Sequence, residues 1–209
     1  MAKQLPAHLT RKAALALLPP ASITAPIEAV RRVHDNHFAR WPPHINLLYP
    51  FLASPSDTIL EGGTLSSHLK KEIRARIQNA TRSIEPFQIS LNADPHGVFS
   101  HGKRSKTVWL GPSTERVQQL HAALQAEFTE CDADQRPFTP HLSVGQAQSD
   151  AGAQKLGEEI KRSVAHFNNG VDEDLPVALD WYVDKVYVIE RKGYRDRFQV
   201  VGSIELGKE

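Results

Sequence analysis

Two short stretches carry the residues best suited to chemistry. WPPHINLLYP (residues 41–50) and FTPHLSVGQA (138–147) align on His44 and His141, which lie 97 positions apart. Each has an aromatic residue three places before the histidine (Trp41, Phe138) and a proline immediately before it (Pro43, Pro140). Aliphatic residues follow at one and three places (Ile45 and Leu47; Leu142 and Val144), with a hydrogen-bonding side chain between them (Asn46, Ser143). In a strand, residues two apart share a face, so His44 with Asn46, and His141 with Ser143, form small polar faces while the aliphatic residues enter a core. If the two strands lie side by side in a pseudo-symmetric, two-lobed fold, these faces converge. Two imidazoles can then serve as general base and general acid near neutral pH, and two donors can hold the non-bridging oxygens of a phosphate ester. One histidine in an apolar strand is most often a hydrogen-bonded core residue; repetition at several offsets argues for a site.

The elements that must position these residues follow from hydrophobic period. AALALL (13–18) reads as a buried strand ended by Pro19-Pro20, and Thr24 with Pro26 as a helix start followed by Ile27, Val30, Val33 and Phe38. His44 to Phe51 reads as one strand. Thr64 is expected to cap a helix in which Leu65, Leu69, Ile73 and Ile77 recur, with Lys70, Lys71, Arg74 and Arg76 outside, and Gly62-Gly63 is only a turn signal. Strands are expected at 87–92, 97–100 and 106–110, separated by DPHG and HGKRS turns. A helix near Ser113 carries Val117, Leu120, Leu124 and Phe128, and one from Asp150 carries Leu156, Ile160, Val164 and Phe167. NNGVDEDLP reads as a solvated acidic loop before three closing strands. Neither βα alternation nor an all-β pattern fits, so an α+β fold with helices packed on antiparallel sheets is expected, as one domain over 1–209.

Composition narrows the classes. The chain has 209 residues, 40% hydrophobic and 23% charged, which suits an ordinary globular domain. No stretch reaches membrane-spanning length and the N-terminus lacks a signal-peptide core, so a cytoplasmic or nuclear location and a monomer are expected. A net charge of +1 makes any polyanion site a local one. The single cysteine, Cys131, excludes an internal disulfide, and its acidic surroundings in ECDAD disfavour a thiolate nucleophile. His34 and His37, with Asp35 between them, have metal-like spacing without a third ligand, so they read as a surface cluster and no metal is expected. His68, His96, His101, His121 and His166 likewise read as surface residues.

PHINL and PHLSV resemble the paired motifs of the two-histidine (2H) phosphoesterase superfamily, which includes the LigT-like RNA ligases and cyclic phosphodiesterases. That family is defined by two His-x-Thr/Ser motifs, and the likeness extends over most of the chain, from about residue 13 to 206. The resemblance implies a bilobal, pseudo-symmetric fold of two antiparallel sheets flanked by helices with a groove between the lobes, and hydrolysis of a 2',3'-cyclic phosphate, on a nucleotide or RNA end, by acid/base chemistry without metal or other cofactor. It implies that His44 and His141 are catalytic, that Asn46 and Ser143 bind phosphate, and that the product is commonly the 2'-phosphate. Asn46 departs from the family's hydroxyl residue; its amide can still donate to a phosphate oxygen. The same site fits an RNA 3'-end exonuclease, a 2'-5' RNA ligase, or a module that binds a nucleotide or RNA end without turnover.

Such a groove also needs stacking surfaces and cations. Trp41 and Phe138 are candidates for the first. Arg136, Lys106 in GKRSK, and Tyr194 and Arg195 in RKGYRDR are candidates for substrate binding, with Arg191 in the same basic run otherwise reading as part of a solvated turn. Tyr49, by alternation, should face the core opposite His44.

Overall fold

A computed structural model describes residues 5–61, 64–133, 136–168 and 176–208. The first part of the chain runs β1 (Leu9–Thr10), β2 (Ala13–Leu17), α1 (Ala21–His34), β3 (Ile45–Leu48), β4 (Phe51–Leu52), β5 (Ser56–Glu61), β6 (Thr64–Leu69) and α2 (Lys71–Thr81). The remainder is β7 (Phe87–Gly102), β8 (Ser105–Pro112), α3 (Arg116–Glu127), β9 (Leu142–Ala147), α4 (Asp150–Phe167), β10 (Ala178–Val183), β11 (Lys185–Glu190) and β12 (Gln199–Glu205). The fold is α+β as expected, and every strand pairing among the described residues is antiparallel.

The two expected sheets are two four-stranded halves, β10-β7-β8-β9 and β3-β2-β11-β12, fused edge to edge. A single registered pair, Ile45 with Leu142, makes the joint. Both residues are fully buried, and one hydrophobic cluster runs beneath both halves. Helices α1 and α4 pack together behind β9, while α2 and α3 pack together behind β12 and β3. Ser149 caps α4 by accepting from the Gly152 N–H, which explains the abrupt start at Asp150.

Four expectations need correction. Residues from Thr64 form strand β6, paired with β5, and the helix starts only at Lys71. A spacing of four is also a multiple of two, so Leu65 and Leu69 suit a strand equally well, and TLSSHL is poor in helix formers. The Gly62-Gly63 signal lies outside the described residues, as does most of NNGVDEDLP. DPHG is not a turn: β7 runs straight through it, advancing five residues from Asn92 to Gly97 while β8 advances two from Gly111 to Trp109. The surplus is absorbed as a bulge, where a proline sacrifices no ladder hydrogen bond. In α1, Val33 is 73% exposed and the buried side carries Ile27, Val30 and Arg31 instead. Finally, His44 to Phe51 is two strands, since β3 pairs with β2 and β4 turns away to pair with β1.

The bulge in β7 has a packing consequence. A Cβ on Gly97 would lie 2.2 Å from the Trp109 ring, so this position must be glycine for the indole to lie flat across the strand. Trp109 stacks on Phe99 at 5.0 Å, and the pair forms a platform on the exposed face of β7 and β8. Gly97→Ala is expected to cost on the order of 2 kcal/mol through displacement of that ring; an unchanged denaturation midpoint with altered Trp fluorescence excluded would contradict the contact.

Candidate active site

Both histidines sit one residue ahead of their strands, and both are held the same way. His44 Nδ1 lies 2.8 Å from the Pro42 carbonyl and His141 Nδ1 lies 2.8 Å from the Thr139 carbonyl. A carbonyl only accepts, so each Nδ1 carries its hydrogen and each neutral ring keeps its lone pair on Nε2. The prolines at 43 and 140 hold the preceding residue extended, which brings each carbonyl under its own imidazole.

The Ile45–Leu142 pair sets the mutual arrangement. Carried one residue either way, an antiparallel register puts His44 opposite Ser143 and Asn46 opposite His141, all on the face away from the core. Opposed Cβ atoms in such pairs lie about 5 Å apart, so two imidazoles occupy one diagonal of a small quadrilateral and two donors the other. The likeness goes further than the motif. Register slips by one residue between β2 and β3 at Leu47, and between β8 and β9 at Val144. Each bulge falls three residues after its histidine and turns the chain over, so that Leu47 and Leu48, and Val144 and Gly145, are buried in succession. Tyr49 and Gln146 thereby return to the groove side. This corrects the expectation for Tyr49, which lines the groove, half-buried, with its hydroxyl 3.4 Å from the Arg11 carbonyl.

Aromatic rings fix both imidazoles from behind. Trp41 stacks on His44 at 4.4 Å and on Phe198 at 3.8 Å, so it is both packing and groove wall. His141 meets Phe99 edge-on at 4.8 Å and Trp109 at 6.1 Å. Burial, with the charges of Arg31 and His141, lowers the His44 pKa to about 4 against the opposing Pro42 carbonyl and Asp35. Burial also lowers that of His141, aided by Arg136 and His101 and opposed by the Thr139 carbonyl.

Two cavities meet at this quadrilateral and share Asn46, Tyr49, His101, Thr107 and Ser143. The one on the His141 side, about 670 Å³, has Phe99, His121, Gln125, Arg136 and Phe138 in its wall. The one on the His44 side, about 810 Å³, has Arg11, Arg40, Trp41, Arg191 and Tyr194. Of the candidates for substrate binding, Trp41, Phe138, Arg136 and Tyr194 therefore reach the groove. Lys106 does not. It alternates with Val108 and Leu110 onto the helix side of β8, where its ammonium lies 2.7 Å from Asp150 and 2.9 Å from Ser100 Oγ. Arg195 is exposed and lies outside both cavities.

Three readings of the remaining residues change. His101 hydrogen bonds Thr107 Oγ1 at 3.0 Å, and His121 stacks on Phe138 at 3.8 Å; both line the groove instead of the outer surface. Arg191 is 7% exposed, not a solvated turn residue. His34 binds Glu159 and His37 binds Arg40, so the pair is separated, and among the described residues no group of three or more His, Cys, Asp or Glu could hold a metal ion. Cys131 is buried with its thiol pushed up to about 12, so it stays protonated. Only period-two alternation hinted at Thr107; nothing in the sequence set the helical His121 apart.

Asn46 has a feature the motif alone did not reveal. Its amide Nδ2 lies 3.2 Å from His44 Nε2, while its Oδ1 is buried without a hydrogen-bond partner. The N–H donates to the lone pair that a proton would occupy, which favours the neutral ring. Rotation of the amide would instead offer Oδ1 to the imidazolium, so the orphan oxygen is the partner for the charged state. Asn46→Asp replaces the donor with a carboxylate and is expected to raise the His44 pKa by about one unit or more. NMR titration of the imidazole measures this, and an unmoved pKa would rule out the direct bond.

The sequence pattern of the 2'-5' RNA ligase superfamily matches residues 19–195. A relative named RNA 2',3'-cyclic phosphodiesterase, from Methanothermobacter thermautotrophicus, is 32% identical over 92 residues, 43% of this chain, and that match spans 49% of the relative's length. A candidate phosphoesterase of Geobacillus kaustophilus is 27% identical over 77% of this chain and 84% of its own. Among solved structures, E. coli LigT in apo form superposes with a TM-score of 0.54 at 18% identity, covering 95% of this chain and 98% of that one. E. coli LigT complexed with 3'-AMP gives 0.52 at 16% identity over 95% and 99%. These structural likenesses establish a shared fold. With the family pattern covering most of its length, this chain belongs to the 2'-5' RNA ligase superfamily of two-histidine phosphoesterases.

Proposed function

We propose that the protein hydrolyses 2',3'-cyclic phosphates, on nucleotides or RNA ends, using His44 and His141 as its acid/base pair and giving the 2'-phosphate. The observation that carries this reading is the meeting of two histidines with identical Nδ1 anchoring on either side of the Ile45–Leu142 pair. The register puts both rings on one face of the sheet, which supports a proton relay across a single phosphorus. A relative's name, RNA 2',3'-cyclic phosphodiesterase, supports the substrate class.

In the reaction, one imidazole takes a proton from water as its oxygen forms the new bond to phosphorus. The other gives a proton to the ribose 3' oxygen as that bond to phosphorus breaks. Ser143 donates to a non-bridging oxygen on which charge builds. Asn46 donates either to that oxygen or to His44 Nε2, which makes it the point where site and catalyst compete. That competition also favours a second reading, a module that holds a nucleotide end without turning it over.

Incubation with the four nucleoside 2',3'-cyclic phosphates, under excess chelator, tests this directly. Release of 2'-phosphates is expected, with losses of about 10²- to 10⁴-fold in His44→Ala and His141→Ala at unchanged thermal stability. Ligand-induced stabilisation with no product would favour the binding module, and full activity in either variant would remove the two-histidine mechanism. The pH profile is a second check. Only the form carrying one proton on the pair is active, and kcat/KM reports the free protein. Both imidazoles are shifted below 6.5, so the maximum of kcat/KM is expected on the acid side of pH 6.5.

A further inference from the structure

We propose that the cavity on the His44 side is a second anion site, taking the phosphate on the 5' oxygen of the same nucleoside whose cyclic phosphate sits between the histidines. This rests on the function proposed above and goes beyond it, since hydrolysis of a cyclic phosphate needs no second phosphate.

The two cavities differ in charge. On the His141 side the charged wall residues are Asp132 and Arg136, of opposite sign, among aromatic rings that suit a nucleobase. On the His44 side the wall carries Arg11, Lys12, Arg31, Arg40 and Arg191 against a single carboxylate, Asp35. That carboxylate is already committed to Arg31, with oxygen and nitrogen 2.7 Å apart. The other four cations have no carboxylate partner among the described residues.

Arg191 makes the case specific. Its side chain is buried, yet it donates only to the carbonyls of Tyr194 and Arg11, and its Nε has no partner. A buried cation without a counter-charge is held at a cost that an anion relieves. Arg40 stands beside it: the two guanidinium carbons lie 5.5 Å and 5.2 Å from the centre of the same Tyr194 ring. Both guanidinium groups and the Tyr194 ring, which is 74% exposed, line the same cavity, so a phosphate entering it meets two cations. Because the two cavities share Asn46 and Ser143, a nucleoside on the His141 side and a phosphate on the His44 side are reached by one molecule lying across the histidines.

Four probes test the site: a nucleoside 2',3'-cyclic phosphate with a free 5' hydroxyl, its 5'-phosphate, the dinucleotide with a natural linkage, and that dinucleotide with a neutral methylphosphonate linkage. The two charged probes are expected to exceed their neutral counterparts in kcat/KM by about 10- to 100-fold, with the advantage shrinking as salt rises. In Arg40→Ala the ratio should fall to about threefold or less, and Arg191→Met should do the same if it folds. A gain for the 5'-phosphate alone would place a terminal monoester there; a gain for the dinucleotide alone would place a chain linkage. Equal rates for charged and neutral probes, or a ratio untouched in Arg40→Ala, would overturn the proposal while leaving cyclic phosphate hydrolysis standing. If none of the probes is hydrolysed, the proposed function fails, and dissociation constants for the same four compounds decide the anion site independently.

Discussion

Everything in the groove depends on one pair of buried residues, Ile45 and Leu142, where two four-stranded halves meet. A joint of one registered pair looks slight, but it is sealed from below by a continuous core. Because side chains alternate along a strand, burying these two forces their neighbours to the opposite face. Those neighbours are the histidines and their companion donors. A slip of one residue at the joint would send the imidazoles into the core and the aliphatic residues into the groove, so the apolar pattern itself guards the register.

The repetition is structural as well as sequential. Each half supplies a proline, an imidazole bonded to the carbonyl two residues earlier, and a bulge three residues later. The halves nonetheless differ in what surrounds the ring. His44 is stacked on Trp41, bonded to Asn46 and near the buried Arg31, while His141 leans on Phe99 and Trp109. Symmetry brings the pair together, and the departures from it make the two imidazoles chemically distinct. The charge contrast between the flanking cavities extends the same asymmetry to whatever lies across them.

Where an element or a face departs from local pattern, strand pairing overrides it. Thr64 to Leu69 satisfied a helical spacing and a strand spacing at once, and the pairing with Ser56–Glu61 decided between them. DPHG had the composition of a turn, but β8 pairs with β7 both before it, at Leu91 and Asn92, and after it, from Gly97, so the strand resumes on the same partner and the segment becomes a bulge. Tyr49 was placed by alternation on the wrong face because a bulge at Leu47 is invisible to a period-two count.

By itself, the amino-acid sequence determined the repeated histidine motifs, the α+β class and most helices, because each depends on local period, proline and capping chemistry along a short segment. It also placed His44, Asn46, His141 and Ser143 on polar faces, since alternation within one strand needs no partner. Only the tertiary structure decided that those faces adjoin, that His101, Thr107 and His121 line the groove with them, and that Lys106 turns away to Asp150. It alone revealed Arg191 as a buried cation and Asn46 as a partner of His44. The physical reason is range: register between strands, bulges and the burial of a charge are set by residues distant in the chain.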